Sequence, residues 1–180
     1  MLAEKTDRYN VFAADFVGYV EAMIQELQDE HLSKLGLKVV VDKDYNFGNN
    51  KWFAAYQHAN GSIGNGIIKI ALNLPYIYGV MKGKGVEKDS FNLEAQARIT
   101  VGHEIGHGIV DYLLNVYDGG CESADDIVRD YYDGELNEEA LVEEFGDSMF
   151  PEATGVWGST LSSVLSDIAN AKSRPKQPVE

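Results

Sequence analysis

The chain has 180 residues and a single cysteine, Cys121, which excludes an internal disulfide and a cysteine-built zinc site. With 44% hydrophobic and 24% charged residues it has globular rather than disordered composition, and its length suits one domain whose core needs no disulfide staples. The net charge of −14 is concentrated in residues 118–152, where thirteen Asp and Glu stand against one basic residue, Arg129; a segment this acidic repels phosphate and argues against nucleic acid as a partner.

The N-terminus, Met1 to Arg8, has no basic region followed by an apolar stretch, and no segment approaches the ~18 apolar residues of a membrane span. The expectation is a cytoplasmic protein without a membrane partner. From Asp7 to about Leu35, Phe12, Phe16, Tyr19, Val20, Met23, Ile24 and Leu27 recur at the spacing of a helix face, and Gly36 suits its stop. Three runs of β-formers follow, 37–41, 52–56 and 66–73, separated by Asn- and Gly-rich turns. They predict a small, mostly antiparallel sheet, with Pro75 stopping the third strand. Residues 79–90, with three Lys and three Gly, read as a loop.

A second long helix is predicted from about Asn92 to Tyr117, with Ser90 and Asn92 as cap candidates and Gly119-Gly120 beyond its end. Further helices are predicted at 122–132, at 138–150 behind the cap Asn137, and at 158–171. The whole reads as one α+β domain over residues 1–172 with a flexible tail over 173–180.

Within the long second helix stands His103-Glu104-Ile105-Gly106-His107, the HExxH pattern, which takes two of the chain's four histidines. Residues i and i+4 lie one turn apart on one face, so both imidazoles can aim a nitrogen at one point about 2.0–2.1 Å away, the Zn–N distance. Glu104 lies between them and can act as general base toward a water at that point. Val101, Ile105, Ile109, Leu113 and Val116 form an apolar stripe beside that of His103, His107, Val110 and Leu114, which puts the histidines at the edge of the core. Gly102, Gly106 and Gly108 flank them. A mid-helix Gly costs about 1 kcal/mol against Ala, so three together call for a close approach by a sheet, a partner helix or a substrate.

Catalytic zinc takes three protein ligands and keeps one open position. No His follows His107, so the third ligand must be a carboxylate, and the richest window is Asn137 to Asp147. Glu138 lies near the centre of the Leu141, Val142, Phe145 and Met149 face, while Glu139, Glu143 and Gly146 form a separate stripe. Glu138, Glu139 and Glu143 all compete for the position.

HExxH followed at a distance by a Glu on a second helix resembles the gluzincin pattern of zinc metallopeptidases, the clan of thermolysin. The string Glu139-Ala140-Leu141-Val142-Glu143-Glu144-Phe145-Gly146 is similar to that clan's ligand helix. The resemblance covers residues 66–150 and is to compact, minimal gluzincins of bacteria and their phages. It implies zinc held by His103, His107 and Glu139, with Glu104 as the catalytic base and a peptide or protein as substrate. It also implies that Glu143 orients a ligand histidine, although Glu stands here where thermolysin-like enzymes have Asp. The strand Ile67–Leu72 would be the edge strand that lines the cleft and receives an extended substrate. A phage origin would place the protein in a host cytoplasm or a virion.

For the group that steadies the developing oxyanion, Tyr131 and Tyr132 come first because they precede the ligand helix, with Tyr76, Tyr78, Tyr112, Tyr117 and His58 also available. Cys121 has no His or basic neighbour in sequence and reads as structural. Two other readings compete with peptide hydrolysis: a zinc-binding but catalytically idle assembly module, such as a phage structural or regulatory component, and a metal-free α+β interaction domain. The oligomeric state is not specified by the sequence.

Overall fold

In the computed structural model residues 2–58 and 62–173 are described, and they form an α+β fold of seven α-helices and one three-stranded sheet. The expected tail falls outside the described residues apart from Ser173, which ends the last helix. Helix α1, Leu2–Leu27, turns its Phe12, Phe16, Val20, Met23 and Leu27 into the core, each no more than 4% exposed. A π turn over Gln28–Leu32 and a 3-10 turn over Ser33–Leu35 carry it to Gly36, whose φ of 69° ends the helical run. The Gln28 side-chain amide donates to the Leu37 carbonyl and fastens the first strand to this corner.

Strands β1 (Lys38–Asp42), β2 (Ala54–Tyr56) and β3 (Ile67–Leu72) pair in the order β1-β3-β2. The sheet is mixed rather than mostly antiparallel. β1 runs parallel to β3 from Lys38↔Ile67 to Asp42↔Ala71, and β2 is antiparallel to β3 from Ala54↔Leu72 to Tyr56↔Ile70. β3 is therefore the middle strand and not an edge. Its Ile68, Ile70, Ala71 and Leu72 are at most 1% exposed, and such a near-continuous apolar run marks a strand covered on both faces. Gly66 lets β3 start against the Gly36 corner: its φ is 78°, and a Cβ there would lie 2.5 Å from the Gly36 carbonyl oxygen.

After β3 the chain turns at once into α2, Leu74–Gly83, where a loop from residue 79 was expected. Pro75 sits in the first turn, where its fixed φ helps and its missing N–H costs nothing. Ile77 and Met81, one turn apart, are buried beside Leu74, and that burial makes the segment a helix. Helix α3, Ser90–Asn115, is capped by Asp89, which accepts from the Asn92 N–H at 3.2 Å; neither Ser90 nor Asn92 is the cap. Leu93, Ala97, Val101, Ile105, Ile109 and Leu113 run through the core along it.

Three further helices follow α3. They are α4 (Glu122–Tyr132), α5 (Glu138–Ser148) and α7 (Thr160–Ser173), with the single turn α6 (Pro151–Thr154) between the last two. Of these, α5 and α4 pack on α3, and α7 packs on those two. The Glu144 carboxylate accepts from the Thr160 N–H at 2.6 Å and steadies the start of α7. Arg98 on α3 donates to the Met149 carbonyl at 2.8 Å and pairs with Glu26 of α1, tying three helices at the end of α5. No helix among the described residues is long and apolar enough to cross a membrane.

Candidate metal centre

His103 and His107 lie one turn apart on α3, with ring centroids 5.2 Å from each other. Helix α5 crosses directly over them. Asn137 caps it by accepting from the Ala140 N–H at 3.1 Å, which fixes the first turn and its two acids, Glu138 and Glu139. The Glu139 carboxylate stands between the histidines, 3.5 Å from His103 Nε2 and 3.1 Å from His107 Nε2. One donor atom from each of the three residues lies within 4.8 Å of the other two, so His103, His107 and Glu139 form a group that can hold a metal ion.

The glycines explain how α5 comes so near. A Cβ on Gly146 would lie 2.8 Å from the Ile99 carbonyl oxygen and 2.9 Å from the His103 nitrogen. A Cβ on Gly102 would meet the Met149 side chain at 2.5 Å, and one on Gly106 would meet Val142 at 2.9 Å. The two helices therefore touch through backbone and small residues, and the intrinsic helix cost of each Gly is offset by this contact. Gly108 faces the other way, toward Ile68 of β3 and the Tyr56 ring, so the sheet and a helix are both close neighbours of the motif.

Glu138 approaches the remaining nitrogen, with its Oε2 2.7 Å from His107 Nδ1. An N–H on Nδ1 donating to Glu138 leaves Nε2 with a free lone pair aimed at the Glu139 side. His107 has a carboxylate at each nitrogen, Glu138 at Nδ1 and Glu139 at Nε2. A cation shared by His107 Nε2, His103 Nε2 and Glu139 meets all three lone pairs at once, and on that count the residues fit a metal. The structure corrects the pairing drawn from the resemblance: Glu138, not Glu143, is the acid bonded to His107 Nδ1. Glu143 is exposed and bonded to neither histidine, because α5 lays its first turn, rather than its second, over them.

Glu104 projects to the strand side of the histidines, where its Oε2 accepts the Tyr56 N–H at 2.9 Å. Burial holds its carboxyl above the ordinary carboxylate range, opposed in part by the two histidines and the Tyr56 N–H and reinforced by Glu139. Its other oxygen makes no hydrogen bond among the described residues. These groups open into a cleft of about 1050 Å3 between β2 and α5. Its charged lining is mostly acidic: Asp111, Glu143 and Asp147 join Glu104, Glu138 and Glu139, while Lys51 is the one Lys or Arg among the lining residues.

Of the candidate oxyanion donors, Tyr131 and His58 line the cleft. Tyr132 is 71% exposed and does not line it. Tyr112 is buried, Tyr117 is bonded to the Cys121 carbonyl and Asp125, and Tyr76 and Tyr78 pack on Phe53 and Phe12. Cys121 is a buried free thiol at the start of α4. Two residues escape the sequence reading: Tyr56, whose phenol donates to Asp111 Oδ2 at 2.5 Å, and Asp111 itself. Asp111 was open to detection, since it continues the His103, His107 series by one more turn. Tyr56 was not, because nothing local shows which strand faces the motif. Comparison with protein-family models, curated proteins and solved structures finds no match to this chain.

Proposed function

We propose that the chain is a zinc metallopeptidase of gluzincin type. The observation that carries this reading is the convergence of His103, His107 and Glu139 on one point, with the partly free carboxylate of Glu104 beside it. Two imidazoles and a carboxylate are a nitrogen and oxygen set suited to zinc, and three protein ligands leave a position open. Bound zinc would supply Lewis-acid polarisation of the scissile carbonyl and acidify water. Glu104 accepts the water proton at its unbonded oxygen and passes it to the leaving amine, a role suited to a carboxyl held above its ordinary range. Glu138 keeps His107 in the tautomer that offers Nε2.

The substrate in this reading is an extended peptide lying along β2. Gln57 donates to Lys69 and Asn73 donates to Phe53, so alternation turns the backbone groups of Ala54 and Tyr56 away from β3; with the Tyr56 N–H held by Glu104, the Ala54 N–H and carbonyl and the Tyr56 carbonyl face the edge. That edge takes the substrate-pairing role the resemblance gave to Ile67–Leu72. The acidic walls favour neutral or basic side chains opposite α5.

Metal analysis of protein purified without chelator should find about one zinc per chain. A mixed peptide library should be cleaved, with activity lost to chelator and restored by zinc. Glu104→Gln should keep the zinc and lose roughly 10²–10⁴-fold in rate. Zinc binding without turnover would make the chain an idle binding module instead, and no zinc uptake at all would remove the enzyme reading.

A further inference from the structure

We propose that Tyr56 and Asp111 form a strap that docks the edge strand β2 on the metal-site helix α3 and thereby positions Glu104, with Asp111 acting through Tyr56. The inference rests on the peptidase reading for the role of Glu104. It starts from a weak point in the fold: β2 has only three register pairs, and only β3 flanks it in the sheet. So short a pairing leaves the spacing between β2 and α3 to depend on bonds made directly between them.

Tyr56 bridges that gap twice. Its backbone N–H, turned to the free edge, is taken by Glu104 Oε2 at 2.9 Å, and its phenol reaches two turns further along α3 to Asp111 Oδ2 at 2.5 Å. The bonds span Glu104 to Asp111, so Tyr56 is held at its backbone and at the tip of its side chain. Asp111 is itself held, since the Asn115 side-chain amide donates to its Oδ1 at 2.5 Å and to its backbone carbonyl at 3.2 Å. Gly108, between the two anchor points, clears the space: a Cβ there would lie 3.2 Å from the Tyr56 ring. The His58 ring lies nearly parallel to the Tyr56 ring, with centroids 6.5 Å apart. Burial, then the bond to Asp111, pushes the phenol well above its ordinary range, so it remains a donor at any working pH. Removing the phenol contact would leave the Tyr56 N–H, and with it the Glu104 carboxylate, free to drift.

The test uses the zinc-loaded full chain. Tyr56→Phe keeps the ring that packs on Gly108, and Asp111→Ala removes the acceptor. Each should lower kcat on the order of 10-fold with KM within about 2-fold and the zinc content unchanged. The double variant should be no worse than either single one, because both remove the same bond. Asp111→Asn, which retains an acceptor oxygen, should recover most of the rate. Independently of turnover, the residue-56 amide should exchange its hydrogen roughly 3–10-fold faster in both single variants. Losses that multiply in the double variant, an unchanged kcat, or an unchanged residue-56 amide would overturn the strap. If the unaltered chain cleaves no peptide, the peptidase reading fails by itself, and the amide measurement alone decides for or against the strap.

Discussion

The helical wall of the cleft, α5 on α3, is fixed by contact through Gly102, Gly106 and Gly146, whereas the strand wall, β2, is fixed by hydrogen bonds from Tyr56 to Glu104 and Asp111. Close packing leaves the helical wall one position, since a shift along α3 would drive Val142 or Met149 into backbone. The third donor, Glu139, and the orienting acid, Glu138, both stand on that wall. The strand wall carries no donor to the metal group but holds the carboxylate that would move the proton. In the proposed reading metal binding and chemistry would therefore rest on different kinds of contact, one mainly steric and one mainly polar, and substitutions on the two walls should fail in different ways.

The sharpest break in this comparison is to empty the metal group itself. His103→Ala, His107→Ala and Glu139→Ala each remove one of three donors, so stable zinc should be absent after dialysis, as read by metal analysis. Zinc retained at full affinity by Glu139→Ala would take the helical wall out of the site. Next in size, Glu138→Ala should weaken zinc by roughly 10–100-fold in a chelator competition, because His107 loses its partner. Glu143→Ala should stay within about 2-fold by the same reasoning. The reverse order would return the orienting role to Glu143.

Stability separates the walls further. Gly146→Ala places a methyl against the Ile99 carbonyl and the His103 nitrogen, and should cost about 1–3 kcal/mol in denaturant unfolding, with zinc affinity falling alongside. Tyr56→Phe on the strand wall should cost only about 0.5–1.5 kcal/mol and leave zinc affinity intact. Equal losses of affinity would dissolve the distinction.

The smallest effect is a gain. The folded chain holds the Glu104 carboxyl above its ordinary range, so the stability this group contributes is complete below the ordinary carboxylate value and is lost as pH rises through the raised one. In the metal-free chain Glu104→Gln should therefore raise the melting temperature at neutral pH, and the gain should vanish near about pH 4. A gain equally large at low pH would assign it to packing rather than to the buried charge.

Elements ruled by local chemistry were legible in the sequence. Helix α4 occupies Glu122–Tyr132 as read, and α5 starts behind Asn137 because a cap bonds within its own turn. HExxH was legible for the same reason, since i and i+4 share a helix face whatever surrounds them. Helix α2 was not, because Pro75 closes a strand and opens a helix equally well, and only the burial of Ile77 and Met81 decides between them.

The sequence by itself therefore determined that two imidazoles and an intervening carboxylate share one turn of helix, and that an acid-rich helix with a capped first turn follows downstream. The tertiary structure alone decided which acid meets which nitrogen. Glu138 and Glu139 reach the histidines because the Gly146 contact sets how α5 crosses α3, and that contact joins residues far apart in the chain. It also decided that β2, not β3, borders the cleft: strand order follows from pairing across long loops, and the apolar run Ile67–Leu72 gains most when covered on both sides. Tyr56 came to Glu104 and Asp111 by that same pairing, so its place in the site was written in the fold and not in its neighbours along the chain.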